Sequence, residues 1–361
     1  MSPHTNIHQT LTQIASSVKP KHQKLVKFGL SAYTLAPFQS AAGNARAVIP
    51  KFSTACRSSE RLLKNTNIGN ELNSVLTDLV KITPSSIVNV DHTDINYLAA
   101  LVLAVQTHKG RAIPVFVEST FAHDIPSFGS RHSTKRTDRL REMRAEERKQ
   151  TSWNEHIVST LGTFISHLGF APRFAFDRGF GSASIISYLI SADSIFYIRL
   201  KSGRTVDDGR QQIKVKDITG KDDPAELQDK DGNRLSLRVI RSNKNRRCKE
   251  PWYILTNDFN SSREKIVRIY YHRFEIEESF KDAKHLFDLE RMRFNRPSSI
   301  KAILILIFIG FALLFKWHQQ KIFRYYRQRR RVPKHPKKDL SWVRDTWEIW
   351  QLINRVEARY E

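Results

Sequence analysis

The chain has 361 residues and a mass of 41.9 kDa, enough for two or three structural units and too much for a single small module. Sixty Lys and Arg against 36 Asp and Glu leave a formal charge of +24 and a pI near 10.1, which points to a polyanionic partner, because cations that neutralise phosphates release condensed counterions. With Cys56 and Cys248 as the only cysteines, no CxxC pair and no apolar leader, neither a disulfide framework nor a cysteine zinc site is supported, and a reducing cytoplasm is the expected setting.

The basic residues are spread along the chain, with clusters at Lys19 to Lys27, Lys135 to Arg148, Lys244 to Lys249 and Arg324 to Lys338. Charge alone does not separate nucleic acid from an acidic membrane. The first eighty or so residues read as helical, with Ser58 to Leu63 resembling a helix start. A basic helical unit over 1–82 would suit DNA binding, and a plain structural cap is the alternative.

From Ser86 the pattern changes. Ile87, Val88 and Val90 form a short apolar run closing on Asp91, the pattern of a buried strand with a carboxylate at its end. Tyr97 to Gln106 and Ala112 to Glu118 predict two further strands joined by a turn at Thr107 to Gly110. Arg136 to Lys149 and Ile157 to Leu168 predict one long or broken helix. Phe174 to Phe176 is a second strand closing on an aspartate, Asp177, and is followed by a helix at Ser184 to Ile190 and a strand at Phe196 to Leu200.

Lys201 to Pro251 is polar and glycine-punctuated, with short alternating segments, and is expected to be a β-rich insertion outside the core. The core resumes at Trp252 to Thr256 and continues into a helix capped by Ser261 or Ser262. Ala302 to Phe315 is strongly apolar but shorter than the roughly 18 to 20 residues that span a bilayer, so a buried helix and no membrane are expected. The C-terminal residues are basic and aromatic; Trp342, Trp347, Ile349 and Trp350 near helical spacing suggest a helix for a partner or for the chain's own core. The expected units are thus a helical N-terminal region (1–82), a core in two parts (83–200 and 252–320), an insertion (201–251) and a basic helical C-terminal region (321–361).

Asp91 and Asp177 at strand ends, with Glu277 on a helix, are the residue types that metal-dependent phosphodiester cleavage requires, since hard divalent cations prefer oxygen ligands and keep positions open for water and phosphate. Either aspartate alone would be an ordinary turn residue. At 100° per residue, Arg273, Glu277 and Lys284 fall within about 60° of Tyr270 on a continuous helix. Ile269, Ile276, Phe280, Ala283 and Phe287 form an apolar stripe beside that face, while Glu275 and Glu278 point elsewhere. Glu277 is therefore the favoured glutamate, with Arg273 and Lys284 placed for phosphates. Asp94 is the rival of Asp91, and His92 reads as a neighbour rather than a ligand.

Tyr270-x2-Arg273-x3-Glu277-x6-Lys284, within YYHRFEIEESFKDAK, has the spacing of the YREK signature of IS4-type DDE transposases, and VDHTD at Asp91 and FDRGF at Asp177 resemble that family's two aspartate motifs in the right order. The chain thus resembles the Tn5/Tn10 transposase group from about Ser86 to Arg293. The resemblance implies an α/β fold with an RNase H-like mixed-sheet core, a β-rich insertion and a helical N-terminal domain. It implies Asp91, Asp177 and Glu277 as catalytic metal ligands for Mg²⁺, with Mn²⁺ able to substitute, and Tyr270, Arg273 and Lys284 as DNA contacts. Trp252 occupies the place of a tryptophan that stacks on a flipped base; a core aromatic at a strand start is the equal alternative. The implied activity is cut-and-paste transposition on double-stranded DNA, at element terminal inverted repeats and target DNA, through a hairpin intermediate and within a homodimer. A nuclease or resolvase on the same fold, and an inactive DNA-binding regulator, are the alternatives.

Overall fold

The computed structural model describes residues 3–34, 41–46, 48–95, 98–121, 153–207, 211–218, 220–228, 232–242, 250–287, 289, 296–319, 343 and 346–348. The expected helix at Arg136 to Lys149, the basic clusters at Lys135 to Arg148, Lys244 to Lys249 and Arg324 to Lys338, and Cys248 lie outside them.

Five helices open the chain: α1 (Pro3–Ser16), α2 (Pro20–Tyr33), α3 (Ala41–Arg46), α4 (Phe52–Lys64) and α5 (Thr66–Asp78). The helical expectation holds, but Ser58 does not start a helix. α4 begins at Phe52, and the Ser59 hydroxyl is buried at 2.8 Å from the Tyr33 hydroxyl instead of capping a backbone amide. The cap that the sequence does supply is Asn65, whose side chain accepts from Ile68 N at 3.1 Å and starts α5.

Three strands follow as an antiparallel meander, β1 (Ile87–Ile95), β2 (Leu98–Val105) and β3 (Ile113–Phe121), and then α6 (Trp153–Leu168), β4 (Arg173–Phe176), α7 (Ala183–Ser191) and β5 (Phe196–Arg199). β4 pairs in parallel with both β1 and β5. The five strands lie in the order β3-β2-β1-β4-β5, the mixed arrangement of an RNase H-like core. Every residue of β2 is buried, because Leu101, Leu103 and Val105 face α6 and α7 while Ala100, Val102 and Ala104 face the opposite helices. A strand covered on both faces reads as a continuous apolar run rather than an alternating one.

The expectation of a β-rich segment at 201–251 holds, but it is not separate from the core. β6 (Thr205–Asp207), β7 (Gln212–Lys214), β8 (Asp222–Gln228) and β9 (Arg234–Arg241) join β10 (Tyr253–Thr256), which pairs antiparallel with β5. The result is one ten-stranded sheet ending β5-β10-β9-β8-β6-β7. The physical reason is that β9 carries apolar residues on both faces: Leu237 and Val239 pack with one core cluster and Ile240 with another.

After β10 come α8 (Arg263–Tyr271), capped by Ser262 rather than Ser261, α9 (Glu275–Leu286) and α10 (Pro297–His318). α10 is 22 residues long, so the sequence argument from a short apolar run needs correction: this helix is long enough to cross a membrane. It is instead the keystone of the core, with 89% of its most apolar window buried, packed on β3, α5 and α4. α5 also closes the β3 edge of the sheet. Asn73 donates to Val117 O at 2.8 Å and accepts from Val117 N at 3.0 Å, and the Thr77 hydroxyl donates to Val115 O at 2.9 Å. Among the described C-terminal residues, Val343 is buried and Trp347 lies 6.5 Å from the Phe287 ring, which favours packing on the chain's own core. Trp342, Ile349 and Trp350 lie outside the described residues.

Candidate active site

The parallel pairing of β1 and β4 ends at Val90 and Phe176. Asp177 follows at once, leading into a 3-10 turn at Arg178–Phe180. Asp91, however, does not end its strand: β1 runs on to Ile95, held past Val90 by β2 alone. Asp91 is the first residue of β1 beyond its parallel partner, so the two aspartates are register neighbours where the β1–β4 ladder stops. Side chains alternate along a strand. Val88 and Val90 pack with the α6 and α7 layer, while Asn89 donates to His272 O at 3.2 Å and Asp91 accepts from Arg273 on the opposite face.

Tyr270 to Lys284 is not continuous, because a 3-10 turn at His272–Phe274 separates α8 from α9. Two buried amides that the sequence reading overlooked shape the joint. Gln106 donates to Ile269 O at 3.1 Å and to Asn89 Oδ1 at 2.7 Å, while Asn89 takes the His272 carbonyl. A 3-10 segment turns by about 120° per residue rather than 100°, so the face deduced for one helix does not pass unbroken through the joint.

The structure consequently divides the four signature residues. Arg273, 2% exposed, donates through Nη1 to Asp91 Oδ2 at 3.1 Å and through Nη2 to Glu277 Oε1. Lys284 Nζ lies 3.8 Å from Asp94 Oδ1. Tyr270 is fully buried, with its ring 5.4 Å from Trp252 and its hydroxyl without a hydrogen-bond partner among the described residues. As placed, it supports the Arg273 guanidinium, whose carbon lies 5.9 Å from its ring centroid. The cluster therefore gathers around Arg273, not around one uninterrupted helical face.

The three glutamates also separate. Glu275 is buried and accepts from Thr107 N, His108 N and Gly110 N at 2.9, 3.3 and 3.1 Å. Glu278 pairs with Lys281 and lies 3.6 Å from Arg111. Glu277, 42% exposed, is the one turned to Arg273 and Asp91. Asp94 is more exposed than Asp91 and pairs with Lys284. His92 behaves as a neighbour: its backbone N–H donates to Asp91 Oδ1 at 2.8 Å, and burial drives its imidazole pKa down to about 4 against the upward pull of Asp177 and Asp94.

Burial raises the Asp91 pKa to about 6. Arg273 and the His92 amide oppose the rise, and Glu277 and Asp177 add to it. Asp91 therefore feels both of the other carboxylates, and oxygen donors suit a hard divalent cation in chemistry. Arg273 holds Asp91 and Glu277 in their present geometry. Among the described residues, no three His, Cys, Asp or Glu side chains stand so as to hold a metal ion between them.

Trp252 is 6% exposed and sits edge-on to Tyr270 and 5.7 Å from the Phe274 ring, so its packing is that of a core aromatic. It also borders a cavity of about 470 Å³ with Gly110, Arg111, Tyr271, Phe274 and Glu278.

A search of curated proteins gives no match. The family model described as the transposase DDE domain matches residues 150–313, a span that includes Asp177 and Glu277 and begins after Asp91. Residues 150–313 are thus similar to the transposase DDE domain, a catalytic DNA-cleaving domain.

Proposed function

We propose that Asp91, Asp177 and Glu277 form the carboxylate set of an IS4-type, cut-and-paste DNA transposase. The observation that carries this reading is the convergence of three elements distant in sequence. Asp91 and Asp177 stand side by side where the parallel β1–β4 ladder stops, and buried Arg273 ties Asp91 to Glu277. The three carboxylates would hold Mg²⁺, or Mn²⁺ in its place, which when bound activates a water or 3′-hydroxyl and stabilises the leaving oxygen. Arg273 balances Asp91 and Glu277, and Lys284 and the surrounding cations orient phosphate. The substrate is double-stranded DNA, at the element's terminal inverted repeats and at a target, and two ends are joined within a homodimer. Second-strand cleavage proceeds through a hairpin. The reading of residues 1–82 as a DNA-binding unit belongs to the same proposal, although α2, α4 and α5 share the core cluster of α10.

The test is cleavage and strand transfer on duplexes carrying the element ends, with Mg²⁺, by the wild-type protein and by Asp91→Ala, Asp177→Ala and Glu277→Ala. Nicking, hairpin formation and joining that vanish in all three variants support the proposal. Cleavage without joining indicates a nuclease or resolvase. DNA binding without carboxylate-dependent cleavage indicates a regulator derived from a transposase.

A further inference from the structure

We propose that Glu275 is a positioning residue that fixes Glu277 and Arg273 against the aspartate pair by locking the start of α9 onto the β2–β3 turn. The inference rests on the carboxylate set proposed above. Glu275 stands two residues from each of them, on the side facing away from Asp91. Its carboxylate takes three backbone N–H groups of the turn, at Thr107, His108 and Gly110, and meets His272 Nδ1 at 3.1 Å. The turn is shaped to present them. His108 and Gly110 have φ of 56° and 79°, and successive N–H groups in such a conformation form a concave anion site.

The main chain makes a second attachment at the same point. Ala112 N donates to Glu275 O at 3.2 Å, and the Ser279 hydroxyl donates to Ala112 O at 2.7 Å and to Glu275 O at 2.9 Å. Arg111 Nε reaches Asp282 at 2.7 Å one turn further along α9. Asn89 and Gln106 hold the carbonyls of His272 and Ile269 from the sheet. The 3-10 turn bearing Arg273 is thereby clamped between sheet and hairpin, and the side chains facing Asp91 inherit that geometry. A buried acid at the first position of a helix is also favoured by the backbone charge there, but three N–H donors from another element make its position a matter of tertiary fit.

Mn²⁺ binding to the full chain, followed by electron paramagnetic resonance of the free ion, tests the assignment beside thermal unfolding of the same samples. Glu275→Gln keeps one acceptor oxygen for the turn, and Glu275→Ala keeps none. The expected order of affinity is wild type, then Gln, then Ala, with a loss of about tenfold for Ala, as for residues that support metal ligands from behind. A Glu275→Gln protein that is folded and binds Mn²⁺ as tightly as wild type overturns the proposal. Should both variants fail to fold, His272→Phe removes a single partner, and weakened binding supports the proposal while unchanged binding overturns it. Asp91→Ala and Glu277→Ala are run alongside. Wild-type Mn²⁺ affinity in those two overturns the carboxylate reading itself, a result distinct from failure of Glu275 alone.

Discussion

Arg273, on the turn between α8 and α9, donates to Asp91 on β1 at 3.1 Å across 182 positions of sequence. Both side chains are largely buried, so each makes the other tolerable. Removing one partner of such a pair leaves an uncompensated charge, which costs about 3–5 kcal/mol. Arg273→Met is expected to lower the urea midpoint of metal-free protein accordingly. An unchanged midpoint would show that Asp91 does not depend on the guanidinium.

The raised Asp91 pKa gives the metal-free protein a pH dependence of defined sign. Its folded value near 6 exceeds the ordinary 3.8, so the native state keeps a proton that the unfolded chain releases. Stability should fall as pH rises from about 4 to about 6 and level off above, by an amount on the order of 3 kcal/mol. Asp91→Asn should lack this step. Saturating Mg²⁺ should suppress it in the wild type, because a bound cation favours the carboxylate. Denaturant titrations across that pH range, with chelator or with Mg²⁺, provide the check.

Trp252 offers a choice between two roles with different signatures. Packed against Tyr270 and Phe274, it should cost about 3–5 kcal/mol when truncated to Ala, whereas Trp252→Phe should be milder. If the Ala variant unfolds at the wild-type midpoint but fails in hairpin formation, the ring serves the DNA rather than the core.

Asn73 makes a reciprocal pair with the backbone of Val117. Asn73→Ala leaves a buried donor and acceptor on the outermost strand, at about 1–3 kcal/mol for each unmet group. The variant should melt earlier yet cleave DNA normally below its transition. Lost cleavage at a temperature where circular dichroism shows full folding would contradict a purely structural role.

Much of the strand and helix order was legible because period and punctuation agree: Ile87, Val88 and Val90 before Asp91, Phe174 to Phe176 before Asp177, and Ser262 before α8. The turn at Thr107 to Gly110 was legible for the same reason. The break in the helix was not, because the side chains that hold carbonyls at the joint, Asn89 and Gln106, lie far away in sequence and look like interruptions of apolar strands. Glu275 was hidden likewise, since three adjacent glutamates differ only in what the rest of the fold brings to each. Helical projection directed attention to Glu277 through a continuous helix that does not exist. The four-residue step from Arg273 to Glu277 crosses only the edge of the break, so those two side chains still meet. The continuation of the sheet through β9 could not be read because an alternating polar segment looks alike whether it pairs with its own hairpin or with the core.

α10 gives the molecule an order of completion. The Ser299 hydroxyl donates to Leu63 O at 3.1 Å across 236 positions, and the N-terminal helices bury their apolar faces against a helix that the ribosome makes long after them. Contacts of such separation carry a loop-closure cost before they give any return. The opening helices therefore wait, half-finished, for residues 300 to 314. A nascent chain that has not reached α10 exposes the surface that α10 will cover and has yet to finish the core behind the candidate site.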